Sequence, residues 1–217
     1  MLHARGLDGL VVLDPSRGDA GLRQLIAEGF PIVTLGDVPG SSPYCVMGDG
    51  VGAMREATEH LLALGHRRIA HLTFSPLGFS GSDDRLIGYQ DALAAAGIEV
   101  EPAWIEETGY SAASGAEAMR KVLERDATIT AVTCGNDTVA LGAMAALREA
   151  GLRIPEDVAV VGFDDLPFAR FLAPPLTTVR TEPIDSGRLA MWMLLELMNG
   201  RKPERRVAVT PTSLVVR

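Results

Sequence analysis

The chain is poor in cysteine and aromatic residues and has no long hydrophobic run. Two cysteines occur in 217 residues. Cys45 and Cys134 each lie in or beside a short apolar run, so we expect both to be reduced and buried. No run approaches the length of a membrane span, and Leu10–Leu13 is too short for the core of a signal peptide beginning at Met1–Gly6. These absences predict a soluble, cytoplasmic protein with no membrane partner.

Positive charge is also scarce. Lys and Arg number 20 against 28 Asp and Glu, which gives a formal net charge of −8. A chain with this balance repels DNA at long range, so it is a poor nucleic-acid binder by itself. Aromatic residues make up 5% of the sequence, while Ala, Gly, Val and Leu are abundant. This composition favours an α/β protein with close contacts between helices and sheets.

Signatures of catalysis and of metal binding are missing as well. His60, His66 and His71 lack the spacing of metal ligands, and neither cysteine lies in a cluster with them. Ser75, Ser80 and other loop serines lack the G-x-S-x-G setting of a nucleophile. We therefore predict that the protein is not an enzyme and has no catalytic residues, no metal site and no cofactor.

One glycine-rich segment, Gly48–Ala53, resembles a phosphate-binding loop between a strand and a helix. A dinucleotide site also requires an acidic residue at the end of a following strand, about twenty residues on. The corresponding region, Arg68–Phe74, contains none. A nucleotide-dependent oxidoreductase is thus an alternative that a cofactor titration would test, and a simple helix start explains the glycines better.

The chain alternates between strand-like and helix-like segments almost to its end. The predicted strands are Gly9–Leu13, Pro31–Leu35, Tyr44–Met47, Arg68–Thr73, Trp104–Glu107, Ile129–Cys134, Val158–Phe163, Leu176–Val179, Val207–Val209 and Ser213–Val216. The predicted helices are Ala20–Glu28, Val51–Leu64, Asp84–Ala96, Ser111–Glu124, Asp137–Ala150 and Ile184–Met198. Such alternation predicts parallel sheets covered by helices, with ligands bound beyond the carboxyl ends of the strands.

Polar residues that follow these strands are therefore the candidates for a binding site. They are Asp49, Arg85, Asn136, Asp137, Asp164 and Asp165. Together they offer paired donors and acceptors suited to a polyhydroxylated small molecule. The alternative for each residue is structural: Asp137 caps its helix, Asp165 begins a turn, and Arg85 forms a surface salt bridge.

Several segments resemble the lactose-repressor (LacI/GalR) family of transcriptional regulators. They are Glu59–Ala70 (EHLLALGHRRIA), Arg85–Tyr89 (RLIGY) with Ala92 and Leu93, Asn136–Leu147 (NDTVALGAMAAL), Ile154–Asp165 (IPEDVAVVGFDD), Pro174–Arg180 (PPLTTVR) and Pro211–Arg217 (PTSLVVR). The resemblance extends over essentially the whole chain, and these motifs are highly specific in combination.

The resemblance implies a two-lobed α/β fold like that of type I periplasmic binding proteins, with parallel sheets flanked by helices. It places residues 1–73 and 181–200 in an N-terminal lobe, and residues 74–180 and 201–217 in a C-terminal lobe. Compared with the family, the N-terminal lobe is truncated and lacks two strand–helix units. This leaves Gly9–Leu13 as an apolar edge strand, which is prone to pair with another chain.

The resemblance also implies an effector site between the lobes. The family's effector contacts fall on Arg85, Asn136 and Asp164, with Asp49, Phe74 and Phe163 beside them. The implied function is to sense a sugar or a similar metabolite, as a homodimer that reaches DNA only through a helix-turn-helix headpiece absent from this chain. The alternative is a solute-binding protein of a sugar transport system.

Overall fold

The computed structural model describes residues 6–41 and 43–217, and its elements follow the predicted alternation. The strands are β1 (Leu10–Leu13), β2 (Ile32–Leu35), β3 (Tyr44–Gly48), β4 (Ile69–Leu72), β5 (Ile105–Glu106), β6 (Ala131–Cys134), β7 (Ala159–Asp164), β8 (Thr177–Arg180), β9 (Val207–Thr210) and β10 (Ser213–Val215). The helices are α1 (Ala20–Ala27), α2 (Gly50–Ala63), α3 (Ser80–Ala95), α4 (Ala112–Arg125), α5 (Asp137–Glu149) and α6 (Pro183–Met198). The prediction that Met1–Gly6 begins no signal peptide falls on residues that, apart from Gly6, lie outside the described part.

The chain forms two compact units, each assembled from separate segments. The first unit comprises Met1–Asp49, Gly78–Gly81 and Glu182–Pro211. The second comprises Gly50–Leu77, Ser82–Thr181 and Thr212–Arg217. Within residues 6–41 and 43–217, no helix has both the length and the apolar character needed to cross a membrane.

The first unit has a four-stranded parallel sheet in the order β1-β2-β3-β9. Side chains of β2 alternate between its two faces, as the period of a strand requires. Ile32 packs with Leu22 of α1 on one face. Val33 packs with Met193 of α6 on the other. The sheet is therefore covered on both sides, which explains why the consecutive residues Ile32 and Val33 are both apolar.

β1 lies at the edge of this sheet and pairs only with β2 among the described strands. The prediction of an edge strand at Gly9–Leu13 is thereby confirmed. Leu13 is 77% exposed and Val11 is also exposed. An apolar edge of this kind presents unpaired backbone groups beside apolar side chains.

The second unit has a six-stranded sheet in the order β10-β8-β7-β6-β4-β5. All neighbouring strands in it are parallel except β10, which runs antiparallel to β8. Helices α2 to α5 supply buried residues to its large core. Both cysteines are free and buried, Cys45 in β3 of the first unit and Cys134 in β6 of the second, in agreement with the prediction.

The observed units differ from the predicted lobes, 1–73 with 181–200 and 74–180 with 201–217, chiefly at residues 50–73, 78–81 and 201–211. β4 pairs with β5 and β6, which places it in the second unit. β9 pairs with β3, so Val207–Thr210 belongs to the first unit. The pairings of β4 with β6 and of β9 with β3 join segments far apart in the sequence, which no local pattern reveals.

Helix α3 begins at Ser80, four residues before its predicted start at Asp84. The carboxylate of Asp14 accepts hydrogen bonds from the backbone N–H of Gly81 (2.8 Å) and from the hydroxyl of Ser80 (3.3 Å). It therefore satisfies a backbone donor that the first turn of a helix leaves without an intrahelical partner. Because Asp14 lies 66 residues before Ser80, this cap gives no local sequence signal.

Candidate functional site

The second unit gathers five of the six predicted site residues around the carboxyl ends of its strands. Phe74 follows β4, Asn136 follows β6, and Phe163 and Asp164 end β7. These three strands are neighbours and run parallel, so their carboxyl ends meet at one edge of the sheet. The fifth residue, Arg85, comes from α3.

Arg85 lies at the centre of this group. Its guanidinium carbon is 4.2 Å from the centroid of the Phe74 ring and 3.8 Å from that of Phe163. It also donates a hydrogen bond to the carbonyl of Gly135. The side chain is 13% exposed, so Arg85 is not the surface salt bridge of the structural alternative. Two cation–π contacts instead fix the plane of its guanidinium group.

Asp164 faces Arg85 with a distance of 3.5 Å between Oδ1 and Nη2. Partial burial raises the pKa of Asp164, and the charge of Arg85 opposes this rise. The side chain remains 30% exposed. A carboxylate and a guanidinium group thus lie side by side, where they offer acceptors and donors to the same ligand.

Asn136 caps helix α5. The structural alternative predicted Asp137 as the capping residue, which is wrong by one position. The Oδ1 of Asn136 accepts a hydrogen bond from the backbone N–H of Val139 at 2.8 Å. The residue is buried. The side-chain NH2 of Asn136 takes no part in the cap and can donate hydrogen bonds to a ligand.

Asp137 is fully buried beneath the site and accepts two hydrogen bonds. The donors are the Thr178 hydroxyl and the backbone N–H of Leu166, each at 2.6 Å. Burial raises the pKa of Asp137 to about 6, and the charges of Asp164 and Asp165 add to this rise. The two hydrogen bonds act in the opposite direction and lower the pKa. The structure therefore holds Asp137 partly protonated near neutral pH.

This raised pKa predicts a pH-dependent effect of Asp137→Asn on stability. Folded protein binds the Asp137 proton more tightly than unfolded protein does, so its contribution to stability is greatest at low pH. That contribution is lost as pH rises from about 4 to about 6. We expect the variant to be more stable than the original chain at pH 8 by at most about 3 kcal/mol, with little difference at pH 4. Urea unfolding at both pH values measures this, and an equal difference at both would contradict it.

His71 is fully buried below the site residues and stacks on Tyr89 with 5.1 Å between ring centroids. Its Nδ1 lies 3.0 Å from the Thr133 hydroxyl. Burial lowers the pKa of His71 to about 3, helped by the charge of Arg85. His71 is therefore a neutral core residue. In the described part of the chain, no group of three or more His, Cys, Asp or Glu could hold a metal ion.

Tyr110 is an aromatic side chain beside the site that is not among the predicted site residues. Its ring meets that of Phe74 edge to face, with 5.4 Å between centroids, and the residue is 56% exposed. It follows β5 by four residues. Its position after a strand is the same signal that indicates the polar site residues.

Asp49, the sixth predicted residue, directly follows β3 and belongs to the first unit. The glycine-rich segment Gly48–Ala53 also falls at this boundary. Its strand lies in the sheet of the first unit, whereas its helix α2 belongs to the second. A dinucleotide fingerprint requires its strand and helix to pack together within one βαβ unit, so this segment lacks the expected setting.

Comparison with known proteins gives the site a family context. The family model of the periplasmic binding protein-like domain matches residues 58–217. The HTH-type transcriptional regulator CelR of Thermobifida fusca is 36% identical over 219 residues, which cover all of this chain and 64% of CelR. The chain thus spans slightly less than two thirds of this relative.

Two solved structures are similar over the whole chain. A regulatory protein of the LacI family from Chloroflexus aggregans has a TM-score of 0.86 and 35% identity, and the match covers 78% of that protein. A complex of the transcriptional regulator CelR with cellobiose has a TM-score of 0.91 and 35% identity, with 67% of its chain covered. These relatives are described as regulators.

Proposed function

Because this chain belongs to the LacI family of transcriptional regulators and carries its periplasmic-binding-protein-like domain, we propose that it senses a small polar effector, namely a sugar or a metabolite of similar size. The observation that carries this proposal is the Arg85 guanidinium, held between Phe74 and Phe163 beside Asp164. A planar donor next to a carboxylate can hydrogen-bond neighbouring hydroxyl groups of one ligand.

The proposed contacts divide into polar and aromatic groups. Arg85, Asp164 and Asn136 supply hydrogen bonds in the proposal. Phe74 and Phe163 orient Arg85, while the exposed face of Tyr110 offers apolar area to a ring. Ligand sites combine such apolar surface with a few fixed polar groups.

The proposed setting of the domain follows from its relatives. A regulator of this family would reach DNA through a headpiece outside this chain, as a homodimer in the cytoplasm. Effector binding would favour one conformation of the domain and thereby change the affinity for DNA. The relatives are transcriptional regulators, which favours this role over a solute-binding protein of a transport system.

A thermal-shift screen tests the proposal. The probes are cellobiose, the ligand in the CelR complex, together with pentoses, hexoses, their phosphates, nucleosides and purines. A ligand at about a hundred times its dissociation constant adds roughly 2.7 kcal/mol to stability. For a chain of this length the melting temperature should rise by about 5–10 °C. A sharp melt that none of these probes moves would contradict the proposal.

Tyr110→Ala should weaken the binding of a ligand from this screen. Loss of the ring removes apolar contact area worth about 1–1.5 kcal/mol, which corresponds to roughly a five- to tenfold rise in Kd. Phe171→Ala is the matched control, since Phe171 is an exposed aromatic residue of the same unit outside the site. Calorimetric titration of both variants measures the effect, and equal affinities would exclude Tyr110 from the site.

A further inference from the structure

The turn at the end of β7 is held in an unfavourable backbone conformation. Asp164 and Asp165 both have positive φ, of 104° and 53°. Residues other than glycine rarely adopt such values, and they persist where the surrounding structure imposes them. The backbone N–H of Asp165 makes a long hydrogen bond, 3.4 Å, to the Thr178 hydroxyl, and the next residue, Leu166, donates from its backbone N–H to Asp137 at 2.6 Å. Contacts of the Asp165 side chain add to the hold on this turn.

Two arginines supply those contacts through the Asp165 carboxylate. Oδ2 accepts a hydrogen bond from Arg180 Nε at 2.8 Å, and Oδ1 accepts one from Arg217 Nη2 at 2.5 Å. The Asp165 side chain is 7% exposed and that of Arg217 is 15% exposed. Although burial acts to raise the pKa of Asp165, the two guanidinium groups hold it below its usual value. Both carboxylate oxygens of Asp165 are therefore engaged by arginine.

Arg217 is itself fixed on several sides. Its Nη1 donates to the carbonyl of Leu176 at 2.8 Å, and its backbone N–H donates to the Thr177 hydroxyl at 3.0 Å. The preceding strand β10 pairs with β8, with Ser213 opposite Arg180. Arg217 therefore occupies a defined place against β8, from which it reaches Asp165.

We propose that Arg217 is a positioning residue of the effector site: through Asp165 it holds the turn that presents Asp164 to Arg85. This inference rests on the proposed function, because it assigns Arg217 a role in the same site without contact to the ligand. The Arg217 guanidinium also offsets one of three neighbouring carboxylates, Asp137, Asp164 and Asp165. Loss of Arg217 leaves Asp165 Oδ1 without this partner while Arg180 still binds Oδ2; it loosens the turn and reduces the positive charge next to Asp164.

The ring contacts of Arg85 provide a readout that requires no ligand. The Phe74 and Phe163 rings lie within 4.2 Å of its guanidinium carbon, so they shift the proton signal of Arg85 Nε–H. Phe163 directly precedes the turn, and its displacement changes this shift. NMR spectra of the arginine side chains of the full 217-residue chain record the signal, and Arg85→Lys assigns it.

In Arg217→Gln, we expect the Arg85 Nε–H signal to lose more than half of the shift that the Phe74 and Phe163 rings cause. In Arg217→Lys the signal should move less, because lysine keeps the positive charge. In calorimetric titrations with cellobiose, Kd should rise about tenfold in Arg217→Gln. Arg120→Gln is the control, because it breaks the exposed ion pair of Arg120 with Glu149 in the same unit. It should leave both readouts unchanged.

Asp165→Asn keeps the test decisive if Arg217→Gln does not fold. Asparagine tolerates positive φ but loses the charge that both arginines bind, so the Arg85 signal should move here too. An unmoved signal in a folded variant of either kind overturns the positioning role. If the signal moves as expected while cellobiose and the other screened probes fail to bind the unaltered chain, the positioning role stands and the proposed function fails.

Discussion

Gly142→Ala should destabilise the second unit by at least about 3 kcal/mol, the upper part of the usual range for overpacked cores. A Cβ atom on Gly142 of α5 would lie 1.9 Å from the carbonyl oxygen of Ala112 and 2.7 Å from the nitrogen of Ala116, both in the backbone of α4. Backbone atoms cannot rotate away as a side chain can. Helices α4 and α5 would have to separate, and the buried contacts between them would be lost.

Gly115 of α4 allows the same close contact with the backbone of α5. A Cβ on Gly115 of α4 would lie 2.4 Å from the carbonyl oxygen of Val139 in α5. The two glycines thus allow close contact between the helices from both sides. Gly187→Ala is the matched control, because Gly187 lies inside α6 and a Cβ atom added there would meet no heavy atom within 4 Å. It should instead stabilise the chain by up to about 1 kcal/mol through helix propensity.

Urea unfolding and thermal unfolding, both followed by circular dichroism, compare these two glycine variants. The melting temperature of Gly142→Ala should fall by about 6–12 °C, at 2–4 °C for each kcal/mol in a chain of this size. If the free energy of unfolding falls in Gly142→Ala and rises in Gly187→Ala, then contact between α4 and α5, and not helix propensity, decides the effect at Gly142. A Gly142→Ala variant within about 1 kcal/mol of the unaltered chain would refute close helix contact at this point.

Arg85→Ala should reduce the affinity for an effector found in the screen by roughly 10- to 100-fold. Hydrogen bonds to a charged group contribute about 1.5–3 kcal/mol each. The variant also removes the ion pair with Asp164 and the contacts with Phe74 and Phe163. It therefore leaves a partly buried carboxylate without its guanidinium partner, and we expect a small loss of stability in addition.

Two further variants separate charge from geometry at this position. Arg85→Lys keeps a cation but loses the planar fork and the stacked guanidinium, so its affinity should lie between those of the unaltered chain and Arg85→Ala. Arg120→Ala removes an exposed arginine of the same unit and should leave the affinity unchanged. Calorimetric titration gives all three values. Unaltered binding by a folded Arg85→Ala variant would exclude the proposed site.

Local sequence patterns were sufficient to predict most elements of the fold. Strands such as β2 and β7 are short apolar runs buried on both faces, and the helices begin and end at recognisable capping residues. Ser111, for example, caps α4 by accepting a hydrogen bond from the backbone N–H of Ser114. Patterns failed where distant residues decide the outcome. The start of α3 depends on Asp14, and the sheet that β9 joins depends on β3.

In the candidate site, too, local position predicted some residues, whereas contacts between distant residues were not predictable. Position after a strand indicated Arg85, Asn136 and Asp164, because topology alone places such residues at one edge of a parallel sheet. The clamp on Asp165 was not predictable in this way. Its partners, Arg180 and Arg217, lie 15 and 52 residues further along the chain, and only the antiparallel pairing of β10 with β8 brings them to the same carboxylate.

The pairing of β3 with β9 sets an order in which the chain can fold during synthesis. Cys45 of β3 pairs with Val207 of β9, so 162 residues separate the partners. At about 5–20 residues per second, β9 leaves the ribosome roughly 8–30 s after β3. Strands β4 to β8 emerge within that interval and can form most of their sheet first. Meanwhile β3 can pair with β2 but leaves its other edge without a partner until β9 arrives, and an apolar edge in this state is prone to aggregate.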